Sequence, residues 1–194
     1  MLNTRTVLCG LIGWAWLTVA LAGVPETPRF RVIGVAEGLP SSSINAIASD
    51  HSGYVWVATP DGLARYDGIG VRVWRHEPGN ADALPGNNVQ ALHVDAQDRV
   101  WVATEGGGLS VLDPQRRHYR HYRMAGHPQI GSDDTWAIAS RDGELWFGTY
   151  GGGLHRLARD GRITRFMPRD DDPRSLPADT VLSLSVDARG NAVS

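Results

Sequence analysis

One spacing constrains this chain more than any other feature. Val55-Trp56-Val57-Ala58-Thr59, Val100-Trp101-Val102-Ala103-Thr104 and Leu145-Trp146-Phe147-Gly148-Thr149 are three versions of one segment, and their tryptophans stand 45 residues apart. Each segment follows a turn-forming stretch: Asp50-His51-Ser52-Gly53, Asp95-Ala96-Gln97-Asp98 and Arg141-Asp142-Gly143. Each precedes a Gly-Leu turn: Asp61-Gly62-Leu63, Gly107-Gly108-Leu109 and Gly152-Gly153-Leu154. Upstream of the first two units lies a Leu-Pro corner with an apolar pair, Leu39-Pro40 with Ile44 and Ile47, and Leu84-Pro85 with Val89 and Leu92. The corner returns at Leu176-Pro177 with Val181 and Leu184, but the third unit lacks it and is one residue shorter there. A unit of this length cannot bury an apolar face alone, so it must stack on its neighbours.

The content of the repeat is strand-like. In the first unit the expected strands are 44–49, 54–59, 62–66 and 71–76. The second is apolar on both faces, as the middle of a sheet covered on both sides requires. The outer stretches Val71-Arg72-Val73-Trp74-Arg75 and His118-Tyr119-Arg120-His121-Tyr122-Arg123 alternate, which suits a rim strand. No amphipathic helical stretch follows residue 22, so helical and leucine-rich solenoids are excluded. A period near 45 with four short strands points to an all-β chain, a β-propeller of four-stranded blades. Blades centre on Trp56, Trp101 and Trp146. An incomplete fourth starts at Val181, reaches a turn at Asp187-Ala188-Arg189-Gly190 and puts Val193 in the slot of the next tryptophan. Residues 30–35 match the outer strand 163–166 and are expected to be a strand with no blade of its own. A seven-bladed ring needs roughly 315 residues. The expectation is therefore a partial propeller of about three and a half blades over residues 23–194. It would have a bare face around Trp56 at one end and another around Trp146 at the other.

The first residues read as an address. Arg5 precedes a charge-free run over residues 7–22 that ends Ala20-Leu21-Ala22, a small-x-small cleavage pattern followed by Gly23, Pro25 and Pro28. Residues 1–22 are expected to be a signal peptide directing the chain to the periplasm. An uncleaved anchor is the alternative, although the run is shorter than the ~20 residues that span a bilayer. The one cysteine, Cys9, lies inside this segment. The mature chain then has no thiol for a disulfide, a zinc-thiolate site or a cysteine nucleophile. Hydrophobic residues make up 42% and charged residues 21%, enough for a packed core. A net charge of −2 provides no basic field for nucleic acid. All 19 basic residues are arginine, so no phosphate-loop or Schiff-base lysine exists.

Residues 38–68, Gly-Leu-Pro through Asp-His-Ser-Gly-Tyr-Val-Trp-Val-Ala-Thr-Pro-Asp-Gly-Leu-Ala-Arg-Tyr-Asp-Gly, resemble the two-component regulator propeller repeat, and residues 84–113 do so as well. Three in-phase Trp-x-(Ala/Gly)-Thr…Gly-Leu blocks make the resemblance specific. It implies the periplasmic ligand-sensing region of a bacterial transmembrane signalling protein. In that family the propeller usually precedes a β-sandwich, a membrane helix and a cytoplasmic histidine kinase or diguanylate cyclase. Contact with the membrane and any kinase or cyclic-di-GMP output would then belong to downstream segments. The rest of the propeller would be the chain's first partner.

Other motifs read as structural. Glu105-Gly106-Gly107-Gly108 and Tyr150-Gly151-Gly152-Gly153 lack the lysine and the helix of a phosphate loop. They read as tight turns needing positive φ. Asp170-Asp171-Asp172 lacks the alternating ligands of a calcium loop. The histidines at 51, 76, 93, 118, 121, 127 and 155 show no helical metal spacing, so no metal or cofactor is expected. The repeated tryptophans read as core rather than as a carbohydrate platform. Ser41-Ser42-Ser43 has no placed His-Asp partners for nucleophilic catalysis. The binding candidates are the turn residues that differ between units, Asp61, Glu105 and Tyr150. An acidic, acidic, aromatic set suits a hydroxyl-rich small molecule such as an oligosaccharide. The alternative is a secreted β-propeller lyase or another carbohydrate-active enzyme, which would need a histidine and a metal or glutamate at the channel mouth.

Overall fold

The computed structural model describes residues 30–186 and 192–193. The signal-peptide reading lies outside the described residues. The chain divides into a unit ending at Val32 and a unit from Ile33 onward, and the second holds all of the regular elements described.

That second unit contains three four-stranded antiparallel sheets, each in simple chain order. The first blade is β1 (Ala46–Ser49), β2 (Val55–Thr59), β3 (Gly62–Tyr66) and β4 (Val71–Trp74). The second is β5 (Val89–Val94), β6 (Val100–Thr104), β7 (Gly108–Leu112) and β8 (Tyr119–Tyr122). The third is β9 (Thr135–Arg141), β10 (Glu144–Thr149), β11 (Gly153–Leu157) and β12 (Ile163–Phe166). Short strands β13 (Ser185–Val186) and β14 (Ala192–Val193) pair Ser185 with Val193. Ala48 pairs with Trp56 and His93 with Trp101 in the same way, so Val193 does occupy the tryptophan slot. The only helical residues described are 3-10 turns at Val35–Glu37 and Pro128–Ile130. The strand expected over 30–35 does not form. Those residues pair with no sheet, and Val35–Glu37 closes on itself through Gly38 N–H to Val35 O.

The two middle strands of each blade are the most buried, with all five residues of both β6 and β7 buried. Their two faces meet different neighbours. Trp56, Ala58 and Leu63 pack against Val100, Val102, Leu112 and Tyr119 of the second blade. Trp101, Leu109 and Tyr122 pack against Leu145, Phe147, Leu157 and Ile163 of the third. Each tryptophan also lies on an aromatic residue of its own outer strand: Trp56 on Trp74 (5.1 Å), Trp101 on Tyr122 (5.9 Å) and Trp146 on Phe166 (5.6 Å). Trp56 therefore does not border a bare end, because its side points into the interface with the second blade. The opposite face of the first blade carries Val55, Val57, Ala64, Val71 and Val73, and Ile33 and Leu39 cover it. The last tryptophan, Trp146, stays half-buried.

Corner leucines Leu39 and Leu84 are buried, and Ile130 takes their place in the third unit. Its 3-10 turn absorbs the missing residue. Near the first hairpin of blades one and two, a buried aspartate holds the tryptophan. Asp50 accepts from Trp56 Nε1 at 2.9 Å and Asp95 from Trp101 Nε1 at 2.7 Å. The same carboxylates accept the amides of their turns, from Ser52 and Tyr54 and from Gln97 and Arg99. The third unit has Arg141 in place of the aspartate, since Ser140 pairs with Leu145 as Ser49 does with Val55. Its hairpin shrinks to Asp142 (φ 51°) and Gly143 (φ 75°) between paired Arg141 and Glu144. An Asp-Gly pair with both φ values positive matches the twist of the flanking strands.

Candidate functional site

The Gly-Leu turns and the corners that lead into each inner strand lie at one end of the blades. Blades are sewn together here. Gly106 N–H donates to Asp134 Oδ1 (2.6 Å) and Gly108 N–H to the Asp133 carbonyl (2.6 Å) of the next blade. In the third blade Gly151 N–H donates to Thr180 Oγ1 (3.1 Å) and Gly153 N–H to the Asp179 carbonyl (2.6 Å). The glycine-turn amides that could cradle a phosphate are thus already used by the neighbouring blade. Gly108 has φ 74°, and a Cβ there would stand 2.5 Å from the Tyr122 carbonyl, so only glycine fits.

Among the candidates, Glu105 joins a cluster. Its Oε2 accepts from Asn88 Nδ2 (2.5 Å) and Gln90 Nε2 (3.3 Å). Asn45 of the first blade adds to it, donating through Nδ2 to the Val89 carbonyl at 2.7 Å and lying 3.5 Å from Asn88 Oδ1. Tyr150 is 58% exposed and is tied to the same end through its N–H to the Asp134 carbonyl. Asp61 stands apart and is held at the rim of its own blade, where Arg75 donates to its carboxylate (2.9 Å) and its carbonyl (3.1 Å). The three positions are not equivalent. Gly62 follows Trp56 by six residues, whereas Gly108 and Gly153 follow their tryptophans by seven. Asp61 ends a shorter turn, and Pro60 is the counterpart of Glu105 and Tyr150.

Two residues that sequence reasoning passed over belong to this end. Pairing slips by one between Val89 and Ala91 in β5, and again opposite Gly148 and Thr149 in β9. Gln90 and Trp136 are the extra residues of these two β-bulges. A bulge re-aims a side chain and is frequent beside binding sites. Trp136 Nε1 and Thr135 Oγ1 are both buried without a hydrogen-bond partner among the described residues. The corresponding positions in the first and fourth units hold Asn45 and the exposed Leu182. Asn, Gln, Trp and Leu at one repeated position was the available signal. The end therefore offers amides, carboxylates that include Glu105 and Asp134, and the aromatic side chains of Trp136 and Tyr150.

Histidines are dispersed. His93 Nε2 lies 2.5 Å from Ser140 Oγ across the second and third blades, and burial lowers its pKa against the opposing field of Asp95. His121 Nδ1 lies 2.8 Å from Ser110 Oγ, and His155 is buried on Phe147. Among the described residues no three of His, Cys, Asp and Glu gather as a metal site. No helix among them is long and apolar enough to cross a membrane.

Residues 38–61 and 83–106 match the model of the two-component regulator propeller family. No curated protein matches the chain. Among solved structures, it is similar to the extracellular domain of BT3049 from B. thetaiotaomicron, assigned as a hybrid two-component system. The identity is 22%, the TM-score 0.70, and 80% of this chain and 22% of that one are covered. It is also similar to the extracellular domain of BT4673 from B. thetaiotaomicron, assigned as a one-component system, at 21% identity and TM-score 0.64, with 80% and 20% covered. The chain thus spans about a fifth of the length of those structures. Two phased matches, on residues 38–61 and 83–106, make the first two units similar to the two-component regulator propeller repeat, and the three four-stranded blades share the fold of those extracellular domains.

Proposed function

We propose that the chain is the exported, ligand-sensing part of a bacterial two-component or cyclic-di-GMP receptor, without catalytic chemistry of its own. The observation that carries the reading is the cross-blade cluster of Asn45, Asn88, Gln90 and Glu105 beside the bulged Trp136. Loops on rigid strands are where propellers place binding groups. Amides and carboxylates beside an aromatic residue suit a neutral, hydroxyl-rich ligand such as an oligosaccharide, because they donate, accept and stack in one place. The regulator-propeller repeats support the receptor context, and the matched extracellular domains support export.

Calorimetric titration with a panel of neutral oligosaccharides tests the binding claim. Binding should weaken at least about ten-fold in Glu105→Ala and in Trp136→Ala, the loss of a charged hydrogen bond or an aromatic contact. Binding that ignores both substitutions would move the ligand elsewhere. Turnover of any panel member would favour the propeller-lyase alternative instead.

A further inference from the structure

The crevice between the first and second blades, at the end of the first hairpins, is filled by the chain itself. Arg116 reaches into it from the turn between β7 and β8 with only 8% of its side chain exposed, and contacts Asp50 and Asp98. The matching crevice between the second and third blades is open. Gly161 stands 45 residues after Arg116 and offers no side chain. A groove of about 830 Å³ results, lined by the first hairpins of both blades, Ser140, β8 and the turn between β11 and β12.

Its charges are unevenly matched. Asp95 is paired with Arg99 at 2.6 Å, Asp142 with Arg141 at 3.2 Å, and Glu144 with Arg156 at 3.9 Å. Two lining guanidinium groups remain. Arg120 on β8 makes no ion pair among the described residues. Arg159 is bound only to the main-chain carbonyl of Asp142. By strand register Arg141 stands where the other two units carry aspartate, so the groove lacks a negative charge that they have. Two guanidinium groups without a carboxylate partner among the described residues, one from each blade, recognise an oxyanion.

We propose that this groove is a second ligand site, which takes an acidic sugar through its carboxylate. Arg120 and Arg159 hold the carboxylate, and Ser140 and the neighbouring polar groups meet the hydroxyls. The site is independent of the cluster around Glu105. Titration of the purified chain with digalacturonate, with neutral digalactose and with inorganic sulfate tests it. Digalacturonate should bind and weaken as salt rises, while digalactose should not bind this site. The double variant Arg120→Gln/Arg159→Gln should weaken digalacturonate at least about ten-fold. Arg120→Glu, a charge reversal at an exposed strand position, should weaken it likewise. Unchanged thermal unfolding of these variants separates lost binding from lost fold. Glu105→Ala should leave digalacturonate binding intact, so failure here and failure of the channel-mouth reading are distinguishable. Absence of digalacturonate binding, affinity unchanged in both variants, or equal binding of sulfate and digalacturonate would overturn the proposal.

Discussion

Arg116 of the second blade donates through Nη2 to Asp50 Oδ2 of the first at 3.1 Å, across 66 residues of sequence. The carboxylate side chain is fully buried and the guanidinium nearly so. Asp50 already holds Trp56 Nε1, and the Arg116 guanidinium lies 5.1 Å from the Trp56 ring. One contact therefore joins the tryptophan, its aspartate and the next blade. Burial alone would raise the Asp50 pKa. The hydrogen bonds from Trp56, Tyr54, Arg116 and Ser52 outweigh it and hold the group below the ordinary carboxylate value. In the second blade the same need is met within the blade, by Arg99 on Asp95.

Removing Arg116 leaves a buried carboxylate without its cation. Arg116→Ala should cost about 3–5 kcal/mol, and Asp50→Asn in the same chain should recover part of that loss. Denaturant unfolding of the single and double variants checks this. Full additivity would mean the two residues are not coupled.

Acid should weaken the fold in two stages. Burial pushes the His155 imidazole down to about 4. The unfolded chain, with histidine near 6.5, therefore takes the proton first as pH falls. Stability from this residue is complete above pH ~6.5 and is lost between there and pH ~4, by about 3 kcal/mol. His93 is shifted in the same direction and adds to that limb. Asp50 and Asp95 are lowered carboxylates, so their contribution disappears only below pH ~4. His155→Leu should flatten the upper limb in unfolding measured across pH 4–7. An unchanged slope would assign the limb elsewhere.

The three repeated tryptophans should differ. Trp101 is 3% exposed between two blades, whereas Trp146 is half-buried. Trp101→Ala should cost about 3–5 kcal/mol, the scale of emptying a large core site. Trp146→Ala should cost roughly half as much, in proportion to the smaller area it covers. Equal costs would show that Trp146 is as enclosed as its counterpart.

Gly108 and Gly151 both have positive φ, 74° and 70°. A Cβ on Gly108 meets the Tyr122 carbonyl, while one on Gly151 meets nothing within 4 Å. Gly151→Ala should cost about 1 kcal/mol, the left-handed penalty alone. Gly108→Ala should cost ~2–3 kcal/mol, because strain and overpacking add to it. Thermal unfolding of the two variants decides this.

The strand order of each blade was legible from the 45-residue phase, because β-content, turn glycines and the Trp slot recur together. The binding end was legible only in part. Glu105 was found as a turn residue that varies between units. Gln90 and Trp136 were missed because a bulge is a slip in pairing, and pairing partners are not written in a single strand. Asp61 was grouped with Glu105 because both precede a glycine, although the first turn is one residue shorter.

What the sequence determined by itself is the repeat. Local alternation, corner leucines and glycine turns specify each four-stranded blade, and these signals act over a few residues. What only the tertiary structure decided is how blades meet. Trp56 faces the second blade, Ile33 and Leu39 cover the first blade's other side, and Arg116 fills one crevice while Gly161 leaves the next open. Such contacts join side chains tens of residues apart that share no spacing. Their partners are set by stacking geometry, and each blade's own pattern is compatible with more than one neighbour.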